Sequence, residues 1–258
     1  MTLIYLYCPF FFLAKIPLVI TVIGASGDLA KKKIYPSLLH LYDCNLLPDH
    51  TVIWGYARSP LNHESLRNQL KPFLEKEAHY SQDVIDQFLT TCFYQQGNGY
   101  GDKDAFRSLA SKLDDYARAT STHSCNRLFY LAIPPNVFAE TGLALQSSGA
   151  MTSSLLSSST TTHGWSRLIV EKPFGRDLQS CEALLQVLSK TFVEEQVYRI
   201  DHYLGKEMVQ NLLVLRFSNL LFERIWDHNH IQCVLLTFKE PFGTEGRGGY
   251  FDEYGIIR

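Results

Sequence analysis

Side chains that carry or exchange protons crowd the stretch R-I-D-H-Y-L-G-K-E at residues 199–207. Asp201, His202, Tyr203 and Lys206 stand within six positions of one another, beside an apolar run. Proton transfer is the chemistry such a cluster offers, with a carboxylate to orient or accept and an imidazole, a phenol and an ammonium to donate. A helical segment precedes the cluster and another follows it, so two packed elements must hold it in place.

A second group with chemical meaning lies near the start of the chain. Gly24-Ala25-Ser26-Gly27-Asp28-Leu29-Ala30 follows the apolar run Leu18–Ile23 and opens a helical pattern. Gly24 permits a tight turn, and Gly27 lets backbone N–H groups approach a pyrophosphate where the helix dipole favours an anion. The spacing is G-x-x-G rather than the full G-x-G-x-x-G, so position carries the argument: strand, glycine turn and helix arrive in the required order. The next strand ends Gly55-Tyr56-Ala57-Arg58-Ser59. An acidic residue there would hold the ribose 2′-OH of NAD, whereas Arg58 suits the 2′-phosphate of NADP through a charge-assisted fork.

The elements that must position these groups follow a regular rhythm. Continuous or β-branched apolar runs at 18–23, 51–56, 128–133 and 167–171 read as strands. Helical patterns cover about 28–43, 62–78, 81–90, 102–119, a segment from Pro135, and 177–190. Strands alternating with helices of this length predict βαβ units: an α/β, Rossmann-like doubly wound parallel sheet. Beyond Lys190 the pattern changes to one long amphipathic helix at 205–226 and a strand at 231–238, the start of a second, α+β domain. The expected organisation is an atypical apolar extension at 1–15, a dinucleotide-binding domain at 16–199 and an incomplete domain at 200–258. Residues 147–163 are mostly Ser and Thr and read as a surface loop insertion.

Bulk properties narrow the function classes. The 258 residues are 46% hydrophobic and 19% charged, an ordinary globular balance, and suffice for one large domain with part of another. The formal charge of −2 argues against nucleic acid or an anionic membrane as partner. Cysteines at 8, 44, 92, 125, 181 and 233 form no C-x-x-C and no zinc-like spacing, so no metal is expected and reduced thiols are. Pro9, Lys15 and Pro17 interrupt the apolar N-terminus, against a membrane span of about 20 residues.

Together the stretches G-A-S-G-D-L-A, G-Y-A-R-S, N-R-L-F-Y-L-A-I-P-P, I-V-E-K-P-F-G-R-D-L, Y-R-I-D-H-Y-L-G-K-E and F-K-E-P-F-G-T-E-G-R-G-G-Y-F-D-E-Y-G-I-I-R closely resemble the glucose-6-phosphate dehydrogenase family, in order from about Pro17 to Arg258. The resemblance covers only the N-terminal half or so of that family's chain. It implies oxidation of glucose 6-phosphate at C1 by NADP, the first step of the oxidative pentose phosphate pathway, in the cytoplasm, by a homo-oligomer when the chain is full length.

The roles it implies are specific. Gly24, Ala25, Ser26, Gly27, Asp28, Leu29, Ala30 and Lys31 form the dinucleotide loop, and Tyr130 lies along the cofactor. Lys172 sits between nicotinamide and sugar, with a cis peptide bond to Pro173 expected. His202, Tyr203 and Lys206 grip the 6-phosphate, and Glu240 accepts from sugar hydroxyls. Asp201 is the carboxylate of a His–Asp dyad whose histidine is expected past Arg258, so this exact chain is expected to be a fragment of reduced activity. Two other readings stand beside this one: a truncated product that binds NADP without turnover, and a hexose-6-phosphate dehydrogenase of the endoplasmic reticulum lumen.

Overall fold

The computed structural model describes residues 16–77, 79–120, 123–151, 164–201, 203–237, 239, 241, 243–244, 246 and 248–255. The expected extension at 1–15 and most of the Ser/Thr-rich stretch lie outside those residues. The chain divides into two compact units, one running to Arg199 and the other from Ile200.

The larger unit is built on six strands: β1 Leu18–Ile23, β2 Val52–Ala57, β3 Cys92–Gln96, β4 Asn126–Leu131, β5 Ser166–Glu171 and β6 Val197–Ile200. They lie in the order β3-β2-β1-β4-β5-β6. The pairs β1–β2, β1–β4, β2–β3 and β4–β5 are all parallel. Helices α1 Tyr35–Asp43, α2 His63–Leu74, α3 Gln82–Thr90, α4 Lys103–Ala119, α5 Phe138–Ser147 and α6 Leu178–Thr191 supply the crossovers.

Strand β1 explains why its run is apolar throughout. Its residues alternate between two cores: Val19 and Ile23 pack with Phe106, Leu113, Phe138 and Leu145, whereas Ile20 and Val22 pack with Tyr35, Leu39, Leu66 and Phe88. Helices therefore cover both faces, and no position of the strand is left for water. Burying each such large aliphatic or aromatic side chain contributes about 1.5–3 kcal/mol against the entropy of ordering it. The helices answer with their own period: Phe106, Leu109, Ala110, Leu113 and Ala117 form one buried stripe on α4.

The interior strands β2, β1, β4 and β5 are the four expected from sequence, within one or two residues at their ends. The two edge strands, β3 and β6, are additions. β3 is C-F-Y-Q-Q and β6 is V-Y-R-I, short segments with polar positions on their exposed sides. The helix expected at 28–43 starts at Asp28 and passes through a π-helical turn, Ala30–Ile34, before α1. Pro36 has no N–H to donate to the carbonyl four residues back, so a regular α-helical turn cannot pass through it unbroken.

The smaller unit carries α7 Glu207–Phe217, α8 Leu220–Ile225 and α9 Gly248–Tyr254. The single helix expected at 205–226 is broken at Ser218–Asn219. Asn219 takes an extended conformation at the N-terminus of α8, while its side-chain amide donates to the Leu215 carbonyl at 2.9 Å. Asn competes for backbone hydrogen bonds in this way and favours helix boundaries over interiors. The strand expected at 231–238 is not formed over its described residues 231–237. A strand needs a ladder partner, no described segment pairs with this one, and Val234 and Leu235 are 70% and 88% exposed. Among the described residues no helix is long and apolar enough to cross a membrane.

Candidate functional site

Because the strands are parallel, the turns that follow β1, β2, β4 and β5 all emerge along one edge of the sheet. The order β2-β1-β4 makes that edge a topological switch point, where the chain leaves β1 for opposite sides and open α/β sheets bind ligands.

Gly24 opens the turn after β1 with φ +91°, in the left-handed region. Its N–H donates to the Tyr56 carbonyl at 2.8 Å, and Ala25 N–H reaches the same oxygen at 3.2 Å. A Cβ at Gly24 would run into the Ala132 carbonyl of the neighbouring β4 turn. Gly27 N–H donates to the Gly24 carbonyl at 2.9 Å, and Gly27 in turn accepts from Lys31 N–H at 3.1 Å. The first N–H groups of the helix have no intrahelical acceptors, so the turn offers donors to an anion.

The remaining loop residues divide by exposure. Ala25 and Ala30 are buried and anchor the loop, whereas Asp28 and Leu29 are exposed. Asp28 pairs with Lys32 at 2.9 Å and Lys31 at 3.8 Å. The hydrogen bond from Lys32 is the main cause holding its carboxyl below the usual range. Ser26 is half-buried and accepts a hydrogen bond from Ser59 Oγ at 2.9 Å.

Arg58 stands exposed at the end of β2, with its guanidinium carbon 5.3 Å from the Tyr100 ring centroid. That contact holds the guanidinium by a cation–π interaction and restricts where its fork can point. Tyr130, on β4, donates its hydroxyl to the Glu171 carboxylate at the end of β5. Desolvation first, and the Glu171 interaction second, push the Tyr130 phenol well above its ordinary range. Lys172 follows β5 directly and is half-buried, and its peptide bond to Pro173 is cis, as expected. The residues thus fit a dinucleotide: a glycine turn that leads into a helix N-terminus, and a cationic fork at the adjacent strand end.

Of the 199–207 cluster, Arg199 and Ile200 end β6, residues 203–205 form a turn, and Glu207 starts α7. Asp201 accepts from Tyr203 N–H at 2.9 Å through its side chain and from Leu204 N–H at 3.1 Å through its carbonyl. Lys206 begins α7 with its ammonium 4.3 Å from the Tyr203 ring centroid. Tyr203 and Lys206 are therefore brought side by side, with Asp201 at the base of the same turn. His202 and Glu240 lie outside the described residues.

Three residues beside the expected set went unread in the sequence. Ser59 and Tyr100 contact loop residue Ser26 and Arg58, and Glu171 meets Tyr130. Glu171 alone had a signal available: Leu168 and Val170 point inward on β5, which leaves Glu171 facing the other side with Tyr130.

Comparison with known proteins agrees with this geometry. Residues 21–211 match the family model described as glucose-6-phosphate dehydrogenase, NAD binding domain, and residues 213–258 match its C-terminal domain. The chain is 50% identical over 242 residues to the chloroplastic glucose-6-phosphate 1-dehydrogenase of Solanum tuberosum, covering 93% of this chain and 40% of that protein. It is 48% identical over 240 residues to the enzyme of Takifugu rubripes, covering 93% and 42%. A solved glucose-6-phosphate dehydrogenase in complex with glucose-6-phosphate superposes with a TM-score of 0.79 at 44% identity, over 93% of this chain and 48% of the other. The enzyme from Mycobacterium avium superposes with a TM-score of 0.71 at 28% identity, over 93% and 49%. The chain thus spans less than half the length of these relatives. With two family models matched in sequence order over residues 21–211 and 213–258, the chain belongs to the glucose-6-phosphate dehydrogenase family.

Proposed function

We propose that the chain is the dinucleotide-binding part, residues 16–199, and the beginning of the substrate and dimerisation part, residues 200–258, of an NADP-dependent glucose-6-phosphate 1-dehydrogenase. The observation that carries this reading is the placing of the Gly24 turn and Arg58 at adjacent ends of β1 and β2, with Lys172 following β5 on the same sheet edge. When bound, NADP supplies the hydride acceptor for C1 of glucose 6-phosphate, giving 6-phosphogluconolactone and NADPH.

The chain's own residues then do the binding and the proton work. The helix N-terminus that the 24–31 turn leads into faces the pyrophosphate, and Arg58 pairs with the 2′-phosphate. Tyr130, held by Glu171, lines the cofactor path. Lys172 lies between nicotinamide and sugar, while His202, Tyr203 and Lys206 hold the 6-phosphate and Glu240 accepts from sugar hydroxyls. Asp201 orients the imidazole of the general base. The full-length protein is a homo-oligomer of the cytoplasm, a reducing compartment in which the five free cysteines among the described residues stay thiols.

A second reading is an NADP-binding product without turnover. Following NADPH absorbance with glucose 6-phosphate, for this chain and for a form extended to the relatives' length, separates the two. Turnover by the extended form supports the family activity, and NADP binding alone by the 258-residue chain supports the second reading. Failure of the extended form to oxidise glucose 6-phosphate sinks the proposed reaction, and full turnover by the short chain sinks the second reading.

A further inference from the structure

Two buried phenols frame the Arg58–Tyr100 stack, and neither is accounted for by packing alone. Tyr94, on β3, is 3% exposed, and its hydroxyl lies 3.1 Å from the Ala57 carbonyl and 2.7 Å from the Ser59 carbonyl. Its one hydroxyl hydrogen is thus shared between the backbone oxygens immediately before and after Arg58. Tyr56, on β2, is fully buried, and its hydroxyl donates to the Gly99 carbonyl at 2.6 Å, one residue before Tyr100. Gly97 N–H donates to the same Ala57 carbonyl at 3.1 Å, and the Asp102 carboxylate accepts from Asn98 N–H at 2.9 Å. The loop carrying Tyr100 is therefore tied to the strand end carrying Arg58.

We propose that Tyr94 and Tyr56 are positioning residues for cofactor selection, each fixing by its hydroxyl the backbone segment that presents one partner of the Arg58–Tyr100 stack. The reason is geometric. A guanidinium discriminates a 2′-phosphate from a 2′-hydroxyl only when its fork is held at the correct place, because Arg otherwise spreads over many rotamers. Arg58 itself is exposed, so packing does not hold it. Its backbone is held by Tyr94 and its side chain by Tyr100, whose own loop is held by Tyr56. Burial pushes the Tyr94 phenol up to about 12, so its hydroxyl hydrogen stays in place across the working pH range. Tyr56 is shifted upward for the same reason, chiefly desolvation.

This inference rests on the proposal that Arg58 binds the 2′-phosphate, and the test keeps the two apart. The 258-residue chain and its Tyr94→Phe, Tyr56→Phe and Arg58→Ala variants are titrated with NADP and with NAD, and the thermal midpoint of each is measured. The expected result is about a three- to tenfold loss of NADP affinity in each Phe variant, the size of one lost hydrogen bond, with NAD affinity within about twofold of the parent. Equal losses for NADP and NAD mean a general structural role and overturn the inference, as does an unchanged NADP affinity. Should Tyr56→Phe not fold, Tyr94→Phe decides. Loss of discrimination in Arg58→Ala but not in the Phe variants overturns the positioning roles and leaves the selector standing. An unchanged NADP-to-NAD ratio in Arg58→Ala overturns both.

Discussion

Ser59 Oγ donates a hydrogen bond to Ser26 Oγ across 2.9 Å, and so joins the end of β2 to the turn that follows β1. The two residues are 33 positions apart, yet one bond joins the proposed 2′-phosphate selector to the proposed pyrophosphate cradle. Ser59→Ala should loosen that surface without disturbing the core. A neutral hydrogen bond of this kind contributes about 0.5–1.5 kcal/mol, so dinucleotide affinity should fall by about two- to tenfold. Calorimetric titration with NADP checks it, and an unchanged affinity would show that the two segments hold their places independently.

Gly24→Ala should be far more damaging. The residue sits at φ +91°, and an added Cβ meets the Ala132 backbone carbonyl, which cannot swing aside as a side chain could. Strain of this kind costs about 1–3 kcal/mol, before any displacement of the β4 turn. Stability measured by urea unfolding should drop by at least that amount, and dinucleotide binding should be lost in the folded fraction.

Arg58→Ala removes a charge-assisted contact worth about 1.5–3 kcal/mol, or about a 10- to 150-fold loss of NADP affinity. NAD, which has no 2′-phosphate, should bind the variant nearly as well as it binds the parent. Parallel titrations with the two dinucleotides decide the matter, and equal losses would remove Arg58 from the selector role.

His63 gives the larger unit a pH-dependent seam. Its Nδ1 accepts from Tyr94 N–H at 2.8 Å on the outer edge of β3, where no further strand pairs, and Arg67 on the same helix donates to the Cys92 carbonyl at 2.9 Å. Partial burial of the ring, then Arg67 of α2 and Lys112 of α4, lower its pKa below the ordinary 6.5. The folded state thus prefers the neutral ring, so this contribution is fully present above pH 6.5 and is lost as pH falls from there through the lowered folded value. Unfolding free energies of the parent and of His63→Gln, measured from neutral to mildly acidic pH, should show the steeper decline in the parent. Parallel curves would remove the imidazole from the account.

Asn62→Ala tests a local signal. The Asn62 side chain accepts from Ser65 N–H at 2.8 Å and caps α2. Its loss should cost about 1 kcal/mol in unfolding free energy, with the dinucleotide edge unaffected.

The amino-acid sequence by itself determined the interior of the sheet. Strands β1, β2 and β4 contribute to both cores and β5 to one, so burial demands apolar residues that can be read without knowing any partner. The positions of the glycine turn after β1 and of Arg58 after β2 were legible for a similar reason. Each follows a strand that the sequence shows, and Gly24 takes the left-handed conformation that glycine tolerates. Edge strands β3 and β6 escaped because one side of each faces no strand, which leaves short, mixed patterns. The strand expected at 231–238 shows the converse: its apolar pattern is strong, but backbone pairing requires a neighbour that no described residue provides.

Tertiary structure alone decided which polar groups meet. Tyr94 reaches the backbone on both sides of Arg58 from 35 and 37 residues away, Tyr56 reaches Gly99 across 43, and Tyr130 reaches Glu171 across 41. No local period records such contacts, because they arise from the register between neighbouring parallel strands. That register is set by the packing of helices on both faces of the sheet, not by the segments that the hydrogen bonds join.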